Sequence, residues 1–226
     1  MGADATLAGM LVLRFGFLAV LILGTFAVLK AQPGPEAEAA TLEITAAERA
    51  RGLTFTPGVA AADREWILAA LAKARPEAAR LIDEVDGLVT VSTFSAPDAW
   101  VLGIARPAGT KSYEVRLNVS RLNGSRQIDR DSVTLHELGH VVDHAILDDV
   151  VRNRLADQVP HAGVCDGKLA DCASPQERFA DTFAKWALRG AVSLTGAGYN
   201  LPAPASLEDW GAPLSALAIE LDVSSS

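Results

Sequence analysis

His136 and His140 flank Glu137 in the stretch "TLHELGH", and the chain holds only two other histidines, His144 and His161. Residues four apart on a helix project from one face, so these two imidazoles can be aimed at one metal ion. Glu137 then stands one step round the helix, beside the ion. A zinc ion held by three protein ligands keeps a fourth position for water and lowers its pKa toward about 7, where a neighbouring carboxylate can take the proton. Residue types and spacing therefore point to metal-assisted hydrolysis with Glu137 as general base. The plain alternative is a helix that spells H-E-x-x-H by chance, since the pattern leaves two positions open. Three histidines within nine residues, a strand ahead of the helix and a downstream carboxylate pair weigh against chance.

The third ligand is open between two acids. The longer metzincin pattern is excluded, because it needs glycine at 143 and histidine at 146, where this chain has Asp143 and Ile146. Glu177 and Asp181 stand at i and i+4 on a later helix and share a face. One carboxylate could bind zinc while the other accepts the free N–H of a ligating imidazole. The segment from Ser174 to Glu177 is also a capping box, which would give Glu177 a purely structural task at the same helix start. Asp143, seven residues after His136 on the same stripe, is the other contender. His144 reads as a solvated residue near Asp148, and His161 as a loop residue within reach of a substrate.

Such a site needs a scaffold. The helix carrying the motif starts with Asp131 or Ser132 as N-cap and runs to about Leu147. Leu135, Leu138, Val142 and Ile146 would pack on a sheet, with Gly139 letting the helix lie close to it. Strand signals fall at 88–94, 100–105 and 113–119, the last alternating cleanly with Tyr113, Val115, Leu117 and Val119 on one face. Upstream, Asp63 starts one helical stretch, and Pro76 opens a second that Gly87 stops. Ser174-Pro175 opens the helix that carries Glu177, with Phe179, Phe183 and Trp186 turned inward and Gly190 ending it. A Gly/Pro-rich stretch leads to a last apolar segment ending near Leu221, and there are no internal repeats.

Composition sets the setting. A chain of 226 residues, half of them hydrophobic, can bury one good-sized core. A net charge of -8 leaves no basic surface for phosphates, so nucleic acid is excluded as a partner. From Leu7 to Leu29 an apolar run of 23 residues is broken only by Arg14. It reads as an uncleaved transmembrane anchor or, with a poor cleavage site at Ala37-Glu38-Ala39, a signal segment. Cys165 and Cys172 in "CDGKLADC" read as a disulfide that staples a short loop, in keeping with an extracytoplasmic setting. The expected division is a membrane or signal segment at 1–30, a flexible linker at 31–56 and a folded domain at 57–226.

"HELGHVVD" followed by "ERFADTFAKW" resembles the gluzincin group of zinc metallopeptidases. Within it the likeness is to lethal-factor-like catalytic domains, whose pattern is H-E-x-G-H-x-x-D and then E-x-F-A-[ED]-x-F. The resemblance is confined to residues 136–186. It implies zinc held by His136, His140 and Glu177, Glu137 as general base and Asp181 behind a ligating imidazole. It also implies an α+β, zincin-like domain with a small mixed sheet packed on the H-E-x-x-H helix, where the strand before that helix, here 113–119, aligns an extended peptide. That group uses a tyrosine or histidine to hold the oxyanion, for which Tyr199 and His161 are the candidates. The expected activity is hydrolysis of peptide bonds in a peptide or protein substrate, outside the cytoplasm, by a chain tethered to the membrane or secreted. A catalytically silent, surface-exposed binding module is the competing class, and the intact Glu137 favours the enzyme. Hydrolysis of a non-peptide bond by the same zinc chemistry is the third expectation.

Overall fold

The structure, a computed structural model, describes residues 52–125, 128–160, 173–191 and 201–224. Within them the chain is α+β, with four strands and seven helices. In chain order these are β1 (Thr54–Phe55), α1 (Ala61–Lys73), α2 (Pro76–Asp83), β2 (Val89–Phe94), β3 (Gly103–Gly109) and β4 (Ser112–Asn118). There follow α3 (Val119–Leu122), α4 (Arg130–Ala145), α5 (Asp149–Asp157), α6 (Pro175–Ala187) and α7 (Leu207–Ser224). The small mixed sheet matches expectation, with β1 as an addition. Thr54 and Phe55 fall inside the span 31–56 read as linker, yet they pair with Thr90 and Val91 of β2. The fold therefore begins before residue 57, because an open edge of β2 offers ladder bonds that a short extended segment can take.

The strands lie in the order β1-β2-β4-β3, parallel except for the antiparallel pair β3 and β4. That hairpin turns tightly at Lys111, whose φ of 52° is left-handed. Val89, Val91, Val115 and Leu117 point into the core. The opposite face is polar, where Glu114 accepts from Arg106 and from Ser92. The alternation read for Tyr113, Val115 and Leu117 holds, while Val119 opens α3 instead of continuing the strand.

One expectation is corrected by the strand order. β4 pairs with β2 through Tyr113–Asn118 and with β3 through Ser112–Leu117, so both its edges are taken. The strand at 113–119 cannot align a peptide; the edges are the two-residue β1 and β3, and β3 is the one that lines the cleft. Asn118 N–H donates to Leu102 C=O at 2.9 Å, which fixes the alternation of the β3–β4 ladder. The N–H and C=O groups of Gly103 and Ala105 then point away from β4. Pro107 takes the next outward position, where its missing N–H costs no ladder bond.

The N-cap of α4 is Asp129 in place of the expected Asp131 or Ser132: its side chain accepts from Ser132 N–H at 3.0 Å, and the helix starts at Arg130. Gly139 meets α6 rather than the sheet: a Cβ on it would lie 3.0 Å from Phe183 Cδ1 and 3.3 Å from Ala180 Cα. α6 starts on Ser174 and stops as Arg189 and Gly190 turn left-handed, with Gly190 N–H bonded to Lys185 C=O at 2.8 Å. α7 is tied back by Arg75, whose guanidinium makes a two-pronged pair with Glu208 at 2.9 and 2.7 Å and lies over the Trp186 ring. No described helix is long and apolar enough to cross a membrane. The segment 1–30, Cys165, Cys172, His161 and Tyr199 lie outside the described residues.

Candidate metal centre

Two helices deliver the donors. His136 and His140 stand one turn apart on α4, their rings edge to face with centroids 4.9 Å apart. Glu177 comes from the first turn of α6, which the absent Cβ of Gly139 lets approach. Glu177 Oε2 lies 3.1 Å from His136 Nε2 and 3.4 Å from His140 Nε2. One ligand atom from each of the three residues lies within 4.8 Å of the others. Two imidazole nitrogens and a carboxylate oxygen, brought this close on rigid elements, form a donor set that can hold a metal ion.

The two tasks foreseen for Glu177 do not compete. Ser174 Oγ accepts from the Glu177 backbone N–H at 3.3 Å, so the helix cap uses the main chain. The carboxylate is left to face the histidines. Partial burial opposes its ionisation, yet hydrogen bonds from His136 and His140 hold its carboxyl well below the usual range. Burial by itself would lower His136, but the bond to Glu177 and the charges of Glu137, Glu177 and Asp181 carry it above its ordinary value. The lowered Glu177 supplies the anionic donor a cation site requires, while a metal ion would have to displace the proton that the same contacts favour on His136.

Glu137 stands apart from the three donors. It is 5% exposed, and its carboxylate lies against Gly103 of β3. A Cβ on Gly103 would sit 2.3 Å from Glu137 Oε1 and 2.6 Å from Cδ. No other residue type leaves this space, because Gly103 faces inward opposite Leu117 and any side chain there would enter the carboxylate. Burial pushes the Glu137 carboxyl up, against the pull of His136 and His140. A carboxylate raised in this way holds a proton more readily than a free one, as a group that takes and returns a proton must.

The remaining candidates fall into place around this core. Asp181 lines the same cleft and its charge bears on His136, but its Oδ2 accepts from Lys185 Nζ at 2.5 Å. His136 Nδ1 is buried without a hydrogen-bond partner, so the expected bond from an imidazole N–H to Asp181 is not made here. The i,i+4 spacing explains the difference, since it sets a buried ammonium directly over the Asp181 carboxylate. Lys185 also donates to Leu201 C=O. Asp143 lies outside the donor cluster: its Oδ1 accepts from Arg152 Nε, and Arg152 also donates to the Asp143 and Leu147 carbonyls. It ties the end of α4 to α5. His144 is exposed, as expected, at the mouth of the cleft.

The donors open into a cleft of about 610 Å³. One wall is the paired helices α4 and α6. The other is β3 and the residues before it, from Trp100 to Ala105. Asn118, fully buried, pins that wall: its Nδ2 donates to the Ala96 and Val101 carbonyls at 2.9 Å, and its Oδ1 accepts from Ala96 N–H at 3.1 Å.

Sequence reasoning placed His136, Glu137, His140, Glu177 and Asp181 at one cleft but missed Gly103, Asn118 and Lys185. Gly103 carried a usable signal, a glycine inside the apolar run "WVLGIA", which marks close approach by another group. Lys185 carried one too, since it stands four residues after Asp181 on the same helix, whereas Asn118 carried none, because its partners are distant backbone groups. No family model, curated protein or solved structure matches this chain.

Proposed function

We propose that the chain is a zinc-dependent metallopeptidase of gluzincin type with a zincin-like fold, acting on peptide or protein substrates outside the cytoplasm. The observation that carries this reading is the placement of Glu137. A site that only stored a metal would need His136, His140 and Glu177 and no fourth, buried carboxylate. Here that carboxylate lies against the inward face of Gly103 in β3 and lines the same cleft as the three donors.

His136, His140 and Glu177 would hold the ion. Zinc, when bound there, supplies a Lewis acid that polarises a carbonyl and makes water acidic near neutral pH. Glu137 takes a proton from the attacking water and returns it to the leaving amine, a double task that its raised pKa suits. The outward N–H and C=O groups of Gly103 and Ala105 hold the substrate backbone extended, as an added strand. Burial of His136 and His140 lowers the local dielectric around two of the donors and strengthens their interactions. The apolar run from Leu7 to Leu29 would tether the domain to a membrane or export it.

The test is a cleavage profile of proteome-derived peptides, zinc-loaded wild type against Glu137→Gln, with metal content measured on both. The expected result is cleavage by wild type, loss of at least about a hundredfold in Glu137→Gln, and equal zinc. Equal zinc with no cleavage by either protein would refute the peptidase and leave a binding module.

A further inference from the structure

Among the described residues, the wall facing the helices presents exposed apolar side chains. Trp100 is 77% exposed, Val101 46% and Ile104 37%, all lining the cleft that holds the donors. Single exposed hydrophobic residues are ordinary on protein surfaces, but three on one cleft wall form a patch. The loop that carries Trp100 is also held with unusual care. Besides the bonds from Asn118, Ser120 Oγ accepts from Ala96 N–H at 3.0 Å, and Arg121 Nη1 donates to Pro97 C=O at 3.2 Å. The Arg121 guanidinium then backs the indole, 5.6 Å from the ring centroid. A fully buried asparagine and a stacked arginine thus fix a segment that turns Trp100 and Val101 to solvent. A surface held ready in this way loses little entropy when something docks on it.

We propose that Trp100, with Val101 and Ile104 beside it, is the specificity-determining surface of the cleft, and that it selects peptides with a bulky apolar side chain next to the scissile bond. This rests on the peptidase reading above. The frame comes from Gly103: its backbone lies against Glu137, so a peptide paired with the outward groups of Gly103 and Ala105 has its reacting bond near Gly103. The neighbouring side chain on the Trp100 side of that point meets the indole. A membrane surface is a poorer occupant, since the wall is one side of a cleft continuous with the donors and the chain carries a net charge of -8.

The experiment uses the full-length, zinc-loaded chain and a positional-scanning octapeptide library in two measurements. One is equilibrium binding to Glu137→Gln, the other cleavage by wild type. Both should select Phe, Leu, Trp or Met at one position adjacent to the cleaved bond. Trp100→Ala should raise KM for such peptides by at least about tenfold, the scale of one buried apolar side chain, with kcat within about threefold. Trp100→Phe should restore most of the loss. If Trp100→Ala keeps the wild-type selection, or if wild type cleaves without apolar preference, the proposal falls and the peptidase reading stands. If Glu137→Gln binds apolar peptides through Trp100 while wild type cleaves nothing, the peptidase reading falls and this surface stands. Binding by neither protein counts against both. If Trp100→Ala converts a dimer to a monomer in sedimentation with peptide selection unchanged, the wall is a self-association surface and the proposal is overturned.

Discussion

The two walls of the cleft are built on opposite plans. On the helical side, His136, Glu137, His140 and Asp181 are all buried, and Glu177 is half-buried. Their positions depend on helix phase, a cap at each helix start and a glycine that sets how closely α4 and α6 pack. On the strand side the groups facing the cleft are main-chain amides and exposed apolar side chains, held from behind by Asn118. The first plan fixes charges within a few tenths of an ångström, as bond-making requires. The second offers backbone pairing that any extended peptide can use, with apolar contact to choose among them. Changes on the helical wall should therefore abolish metal binding or turnover, and changes on the strand wall should alter selection.

The largest effect that would sharpen this contrast is loss of the metal. Glu177→Gln should fold normally and bind zinc at least about a hundredfold more weakly by competition with a chromogenic chelator, because a neutral amide is a poor zinc ligand. Asp143→Asn should bind zinc like wild type, since Asp143 is held by Arg152 away from the donors. The reverse pattern would make Asp143 the third ligand and leave Glu177 as a cap. Next in size is a change that crosses the walls. Gly103→Ala lies on the strand side, yet its Cβ would collide with the Glu137 carboxylate. It should lower kcat by about tenfold or more while zinc stoichiometry and peptide selection stay as in wild type. A variant that instead changes selection with normal kcat would show that Gly103 does not seat Glu137.

Smaller again is the effect of the cap. Ser174→Ala should cost about 1 kcal/mol in denaturant unfolding and leave zinc affinity unchanged, since the bond it loses is to main chain. The smallest effect concerns chelator-treated protein, where solvent screens a Glu177 side chain that keeps 27% exposure. Glu177 is depressed on folding, so its contribution is present above its ordinary 4.5 and is lost as pH falls through the lowered value. His136 is raised, so its contribution is present below 6.5 and is lost as pH rises through the higher value. Glu137, raised by burial, adds to the decline on the alkaline side. Melting of chelator-treated protein should thus peak in mildly acidic buffer. A melting temperature that climbs steadily toward pH 8 would contradict the His136–Glu177 pairing.

What was legible in the sequence was local. Helical phase placed His136, Glu137 and His140 together, and Ser174-Pro175 marked the start of α6, because caps and periodicity are read within one or two turns. Alternation gave the inward face of β4 for the same reason. What was not legible depended on strand order. Nothing in "YEVRLNV" says that β4 lies between two partners, so the free edge was assigned to the wrong strand. Gly139 likewise read as a contact with the sheet, since the sequence shows that a small residue is needed without showing what approaches it. Asp181 shared a face with Glu177 as foreseen, but its hydrogen bond went to Lys185, a residue on the same stripe that had been passed over.

An open strand edge is a hazard as well as a tool, because a second copy of the chain can zip onto it and seed a growing aggregate. Pro107 limits that risk at no cost to the cleft. It removes the next outward donor, and the register slips between Pro107 and Gly109, so the edge stops being a straight template after Ala105. The run of usable groups is long enough to grip a passing segment and too short to nucleate a stack of copies. Pro107→Val would extend that run by one donor, and the place to look for its consequence is colloidal stability on prolonged storage.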